Sequence, residues 1–599
     1  MREVYKGRNL KPLNRDKIDP EFVLKIKSNV LQICLLLGVL LAAPVVQAQF
    51  ILATNNGTIT IVEYTNTGSI VVVPPSTNGL QVTTIGPTAF YYNGTVTSVS
   101  LPASITNIMG SAFYQCANLT SITIPASVIT VGDYTFFACT SLASVTFAGG
   151  VTSIGVAVFE ECTNLSSVTL SNGVTSIGAS AFQSAALTAI TIPRSVTNIG
   201  DAPFTYCHNL LAITVDTNNP NYSSTNGVLF NKAQGTLIEY PHGQAGSYTI
   251  PGTVTNLADY AFDESYYLTS VAIPGSVKTM GQQVFWLCTA LTNATMANGV
   301  GMIGDYAFSG CMNLVNLTIP NTVGYLGQQA FLSCFGLTNL AIPGGITNIG
   351  MLAFAACTNL TSATISSGVG SLGDYMFYQC FALTNVAIPN TVTNIGQQEF
   401  YQCYSLSNIT IPNSVATIGG YAFYETGLTS LTIPSSVTSI QNYAFASCPS
   451  LASVTIGNGL TSLADYAFSS CPSLDAVYFS TNAPGADATV FSAHPANATA
   501  YYLPGTTGWP AFSTNTGLHI AVWHPQVQTG SGNLGVRSNQ FGFNITWASG
   551  QTIIVEAATN LTNPTWSPLL TNTLTNGSFY FSDAKWTNFT HRYYRLQSP

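Results

Sequence analysis

Phenylalanine returns along this chain at a nearly fixed interval of 23 residues: at 90, 113, 136, 159, 182 and 204, and again at 262, 285, 308, 331, 354, 377, 400, 423, 445 and 468. Two intervals, Phe182 to Phe204 and Phe423 to Phe445, are 22 residues, and each lacks one residue between the Phe and the next Leu. A unit this short cannot bury its own apolar face. The packed solution is a stack in which each coil covers its neighbour and like residues fall into columns. The expectation is one solenoid of about 16 coils rather than several compact domains. At the ~4.8 Å spacing of neighbouring strands, such a stack would run about 80 Å.

The repeated unit reads V-T-x-I-G-x-x-A-F-x-x-C-x-x-L-T-x-I-x-I-P. Its apolar residues are spaced by two in I-x-I and by three in V-x-x-I and L-x-x-I, with no helical stripe of about 11 residues or more. Short strands joined by tight bends follow, so the fold class is β-rich. Composition agrees: 46% of residues are hydrophobic and only 6% charged, so the surface must be built from Ser, Thr, Asn and Gln. A helical bundle or coiled coil would need far more Glu, Lys and Arg, and 11% aromatic residues exclude a disordered chain.

Residues 108–125, IMGSAFYQCANLTSITIP, and residues 395–412, IGQQEFYQCYSLSNITIP, resemble the BspA-like, or Treponema-type, leucine-rich repeat of bacterial surface proteins. The likeness covers about residues 80–480. It implies a right-handed solenoid with a parallel sheet on the concave face, formed by L-x-x-I-x-I, and short strands with turns behind. It also implies a bacterial protein of the cell surface or secretome, engaged in protein binding or adhesion. The proline is missing at Ala148, Ser171, Ala297 and Ser366, and the glycine at Gln441 and Ala464, which touches loop detail rather than fold.

The ends and one interior segment depart from the repeat. Residues 1–48 combine Arg2, Lys6, Arg8, Lys11, Arg15, Lys17, Lys25 and Lys27 with an apolar run at 30–46 and the ending Val46-Gln47-Ala48, a signal peptide that predicts export and leaves no membrane span after cleavage, with an uncleaved membrane anchor as the alternative. Residues 49–80, with strands at 58–64 and 69–73, form an N-terminal cap to the solenoid at 81–471. Phe204 and Phe262 are 58 residues apart, two periods plus 12, and the surplus is a hairpin-like insertion at 216–249. Residues 472–524 close the array, 525–539 with Gly530 and Gly532 read as a linker, and 540–599 form a separate C-terminal β module, expected to be a small β-sandwich.

Charge narrows the partners. Eight of the 15 basic residues and four of the 23 acidic ones lie in the leader, leaving 7 against 19 and a net charge of −12. Phosphate neutralisation needs clustered cations, so nucleic acid is excluded as a partner. Twelve of the 13 cysteines follow the leader, each three residues after a column Phe. Adjacent coils would place them within disulfide reach, but Cys116, Cys139 and Cys162 make an odd run and Cys207 has no cysteine in the adjoining coils, so buried free thiols fit better. No Cys-x-x-Cys or Cys/His spacing suggests metal. The G-x-G-x-x-G matches at Gly299, Gly368 and Gly530 open no helix in a βαβ unit. The six histidines are scattered, and no Ser-His-Asp set or paired acids emerge. The expectation is a protein that is not an enzyme, with no cofactor and no metal.

What remains is surface. In the presumed concave strands the outward positions are Ser121 and Thr123, Ser144 and Thr146, Asn316 and Thr318, Asn408 and Thr410, Ser453 and Thr455. A second stripe precedes the Phe, where Tyr260, Tyr306 and Tyr375 follow Asp259, Asp305 and Asp374 and alternate with Gln pairs. Both stripes are candidate binding surfaces, and both would equally serve as a solvated face built without charge. Two partner classes follow: an extracellular protein, or an ordered uncharged lattice such as polysaccharide, less readily ice, meeting the Ser/Asn-x-Thr rows.

Overall fold

Alternation dictates the first sheet. In S-I-T-I the second and fourth residues must turn inward, and Ser121–Ile124 has Ile122 and Ile124 buried with Ser121 and Thr123 outward. A computed structural model describes residues 49–530 and 532–598; the signal peptide at 1–48 lies outside the described residues. The chain divides into two units after Gln244.

In the first unit Ile70–Val72, Ser98–Ser100, Ser121–Ile124, Ser144–Phe147 and Ser167–Thr169 form a parallel five-stranded sheet. Its register is one coil per step, with Ser121 opposite Ser144 and Thr123 opposite Thr146. The V-T-x-I segments build a second parallel sheet from two-residue strands such as Asn107–Ile108, Thr130–Val131 and Ser153–Ile154. Its first member is closed by an antiparallel hairpin, Phe50–Asn55 against Thr58–Tyr64, of which the sequence reading had only the second strand. The insertion is a three-stranded meander: Tyr222–Thr225, Val228–Asn231 and Thr236–Glu239 pair antiparallel in turn. Asn231 Oδ1 accepts the amides of Gly235 and Thr236 at 2.9 and 3.1 Å and so fixes the second bend.

The second unit repeats the scheme, with long strands from Gly246–Thr249 through Thr499–Tyr502 to His519–Val522. Its long-strand sheet is divided into segments of four, three and five strands, and no strand forms around Ile409. The cap also contains a feature that the repeat pattern does not announce, the helix Trp509–Thr516, bounded by Gly508 and Gly517, both with left-handed φ, 92° and 80°.

The phenylalanines stack as the period demands. Ring centroids are 4.7 Å apart for Phe90–Phe113 and for Phe262–Phe285, and 5.2 Å for Phe331–Phe354 with planes 1° apart. The column is longer than the 16 positions read from sequence: Tyr64 extends it before Phe90, and Phe491 extends it after Phe468, where the helix residue Phe512 meets it edge-on. Each such pair adds about 0.5–1.5 kcal/mol beyond the burial of the rings.

A third ladder runs beside the column. Residues two before and two after each Phe adopt left-handed φ, for example Gln398 at 52° and Gln402 at 59° around Phe400. Alternate amides then donate to the next coil, from Gln398 to Gly420 O, Phe400 to Ala422 O and Gln402 to Tyr424 O at 2.7 to 2.9 Å. Left-handed φ costs a residue with a Cβ roughly 1–2 kcal/mol, offset here by an otherwise unmade backbone bond. The glycine of V-x-x-I-G has a different cause: a methyl at Gly350 would run into the backbone of Gln328 in the coil below.

All twelve described cysteines are free and buried. Each Sγ donates to the carbonyl of the Phe one coil earlier, as Cys116 does to Phe90 O at 3.0 Å and Cys311 to Phe285 O at 3.1 Å. Most of these carbonyls also accept the backbone amide three residues on, as Phe285 O does from Cys288 N at 3.2 Å, so the thiol column adds a second bond that ties one coil to the next.

At the C-terminus two antiparallel sheets share one core. Gln540–Thr546 pairs with Gln526–Gln528, Leu534–Arg537 and Ser578–Asp583, while Thr552–Ala558 lies between Ser567–Thr573 and Tyr593–Gln597. Residues 525–539, read from sequence as a linker, therefore contain two paired strands; glycine content marked a turn, not a flexible tether. Leu503 of the array's cap belongs to the same core as Phe543, Ile545, Trp547 and Val555, and Trp547 Nε1 donates to Trp523 O at 3.0 Å.

Candidate binding surface

Period two in the long strands and coil-by-coil register place Ser121 and Thr123 on one exposed row with Ser144 and Thr146. In the second unit Asn316 and Thr318 are exposed and stand opposite Asn293 and Thr295. Ser453 and Thr455 are half-buried, opposite Ser430 and Thr432 on one side and Ala476 and Tyr478 on the other. Asn408 and Thr410 are exposed but sit in the stretch without a strand, so they do not continue a row.

The tyrosine stripe is bonded internally. Tyr260, Tyr306 and Tyr375 are half-buried with φ of 63°, 57° and 61°. Gln282 Nε2 donates to Tyr260 Oη at 3.4 Å, and Gln329 Nε2 to Tyr306 Oη at 3.3 Å. The preceding acids hold the next coil: Asp259, Asp305 and Asp374 accept the backbone amides of Gln282, Gln328 and Gln397 at 2.9, 3.0 and 2.8 Å. The Asp-Tyr and Gln-Gln alternation therefore has a structural task before any recognition task.

Aromatic rows that the sequence reading passed over lie on the other side of the phenylalanine. The residue after it forms the stack Tyr91–Tyr114–Phe137 in the first unit, at 4.9 and 4.7 Å. In the second unit Tyr378, Tyr401 and Tyr424 stack at 4.9 and 5.0 Å. The signal was present as an aromatic at Phe+1 in these coils, hidden because other coils hold Glu160, Ser309, Leu332 or Ala355 there. Next to this row runs an amide chain: Gln379 Nε2 donates to Gln402 Oε1 at 2.9 Å, and Gln402 Nε2 to Glu425 Oε2 at 2.8 Å. Outside it, Phe381 and Tyr404 stack at 5.3 Å, and Tyr404 Oη donates to Glu425 Oε2 at 3.4 Å. Burial, with neighbouring phenols and Glu425, pushes the Tyr401 hydroxyl up to about 12, so it stays a neutral donor at physiological pH.

Two buried acids stand apart. In the meander Glu239 Oε1 lies 2.9 Å from His242 Nε2, both buried, and burial raises the Glu239 carboxyl well above its usual range. Glu399 is fully buried at a position where most coils have Ala. Among the described residues no group of three or more His, Cys, Asp or Glu could hold a metal ion, and no helix is long and apolar enough to cross a membrane.

The model for the BspA type leucine-rich repeat region, in 6 copies, matches residues 83–211, 243–334, 288–398 and 370–497, more than half the chain. Solved structures similar to it include a leucine-rich cell surface protein from Faecalibacterium prausnitzii A2-165, 29% identical with TM-score 0.46, covering 58% of this chain and 95% of that one. A leucine-rich repeat protein from Bacteroides ovatus is 24% identical with TM-score 0.44, covering 72% of this chain and 93% of its own. The pneumococcal vaccine antigen PcpA is 18% identical with TM-score 0.41, over 79% and 96% of the two chains. No curated protein matches. With the 23-residue coil, the stacked phenylalanines and the family match in agreement, the chain belongs to the BspA-type leucine-rich repeat family.

Proposed function

We propose that this is an exported bacterial surface protein that binds an extracellular macromolecule, foremost a protein, through the faces of its repeat array. The observation that carries the reading is the exposed, uncharged rows on the long-strand sheet, in register within each segment and interrupted between segments. An irregular partner can use such interruptions as register marks. A lattice partner, the second reading, would want rows without breaks. It draws support from the coil-by-coil alignment of Thr123 with Thr146 and of Thr295 with Thr318, and loses it where Asn408 and Thr410 leave the row. Export and surface location rest on the leader and on the likeness to a cell surface protein. The experiment is binding of the purified chain to a panel of extracellular matrix and secreted proteins, ice and polysaccharides. Saturable protein binding lost on removing residues 216–244 supports the first reading. Binding that fails only when Thr318, Thr410 and Thr455 are together replaced by Lys supports the second, and no saturable binding to any member refutes both.

A further inference from the structure

The aromatic shelf of the second unit has an asymmetry that the repeat does not require. Phe381 and Tyr404 occupy the fourth position after their phenylalanines and are exposed to 36% and 51% of their surface. They stack on one another with planes 16° apart. In the next coil the same position is Gly427, in one of the two units shortened by a residue. One face of the Tyr404 ring is thus taken by Phe381, while the next coil brings no side chain at the stacking position, only Glu425 beside the hydroxyl. Beside that ring Glu425 collects two hydrogen bonds on one oxygen, from Gln402 and from Tyr404, leaving its other oxygen as acceptor capacity. Across the Gln402–Glu425 bond from Tyr404 lies the row Tyr401–Tyr424, which meets Tyr421 at 5.6 Å, and Tyr421 lines an open cavity of about 480 Å³ with Gln397, Gln441 and Asn442.

We infer that this shelf, from Phe381 and Tyr404 to the cavity at Tyr421, is a binding site for a neutral hexose polysaccharide. A pyranose ring presents an apolar C–H face and an equatorial belt of hydroxyls, and needs an open aromatic face flanked by amide and carboxylate groups. Tyr404 with Glu425 and Gln402 supplies that set, and the amides at Gln397, Gln441 and Asn442 supply a second one. Charge decides the class of sugar. No lysine or arginine occurs between Lys278 and Arg537, so nothing here pairs with sulfate, uronate or sialate, and an acidic polymer would meet only Glu425 and like-charged neighbours. Tyr378, Tyr401 and Tyr424 cover one another's faces and offer edges and hydroxyls at about 5 Å per coil, so a polymer seated on the open face of Tyr404 can add weak hydrogen bonds to several coils at once.

This inference rests on the surface-binding reading but names a different face from the Ser/Asn-x-Thr rows. The test is depletion of the full chain from solution by swollen cellulose, chitin and granular starch, with pectin and immobilised heparin alongside. At least one neutral polymer should bind saturably, at an affinity unchanged by added salt, and pectin and heparin should not. Tyr404→Ala with Phe381→Ala should weaken that binding at least tenfold. Tyr92→Ala, an exposed aromatic of the first unit that also packs on Tyr91 and Tyr114, should leave it unchanged, and all variants should stay folded with only slightly lowered unfolding midpoints, since each loses no more than surface ring contacts. Binding of the double variant as tight as wild type overturns the inference, as does wild-type binding to none of the three neutral polymers. If the chain then captures a protein from the panel, this site alone fails and the surface-binding reading stands.

Discussion

Replacing Glu399 by methionine should stabilise the protein, and by more at neutral pH than at low pH. The side chain is 0% exposed, and neither carboxyl oxygen has a hydrogen-bond partner of good geometry. Burial raises its carboxyl well above the ordinary range, the Met376 amide offsets a little of this, and Asp374 adds to the rise. A carboxyl whose folded pKa lies above its unfolded value, about 4.3, is bound to its proton more tightly in the native state. The proton-linked part of its burden is therefore absent below about pH 4 and grows as pH rises toward the folded pKa. An unpartnered buried polar group costs about 1–3 kcal/mol. The preceding coil shows that methionine fits, since Met376 occupies the same place before Phe377 and is fully buried. Glu399→Met keeps the volume and removes the charge, so the gain at pH 7 should be about 2 kcal/mol. The assay is guanidinium unfolding of wild type and variant from pH 4 to pH 8. The difference between the two curves should be smallest at the acid end and widen steadily above it. An equal difference at pH 4 and pH 7, or a variant less stable at pH 7, would show that the buried charge is not what the fold bears at this site.

Further outcomes follow from the columns. Native protein should leave its twelve described thiols unreactive toward an aromatic disulfide reagent and release them together on unfolding, since all are buried and burial pushes thiols such as Cys357 up to about 12. Cys311→Ala should cost about 1–2 kcal/mol, from a small cavity and the lost bond between coils to Phe285 O, which keeps the Cys288 amide, read as a lowered denaturation midpoint. Gly350→Ala should destabilise by more than about 1 kcal/mol because its methyl meets the Gln328 backbone, whereas Gly370→Ala, with open space at its Cβ, should be neutral or slightly stabilising. Trp547→Ala should loosen the C-terminal module from the array, seen as faster hydrogen exchange in 519–523 as well as in 540–558, because its indole bonds Trp523 O and its ring shares a core with Leu503.

The period, the inward and outward residues of S-I-T-I and the columns of Phe and Cys were all legible in the sequence. Each is a property of one coil repeated, and stacking identical coils leaves like residues no other place to go. Sequence alone could not see what depends on the coil above or below. Left-handed φ at Gln398 or Tyr306 carries no signature in those residue types, because the bond that offsets it is made to the next coil. Asp305 and Tyr306 looked like recognition residues, yet Asp305 accepts the Gln328 amide and Tyr306 accepts from Gln329, one coil away. The linker at 525–539 became strands because Gln540–Thr546 offers it an edge. The open face of Tyr404 exists only because Phe381 fills one side and Gly427 leaves the other bare. The repeat thus determined the column in which each side chain stands, and the neighbouring coil decided whether that side chain is occupied or free, since hydrogen bonds and stacking between coils join residues about 23 positions apart.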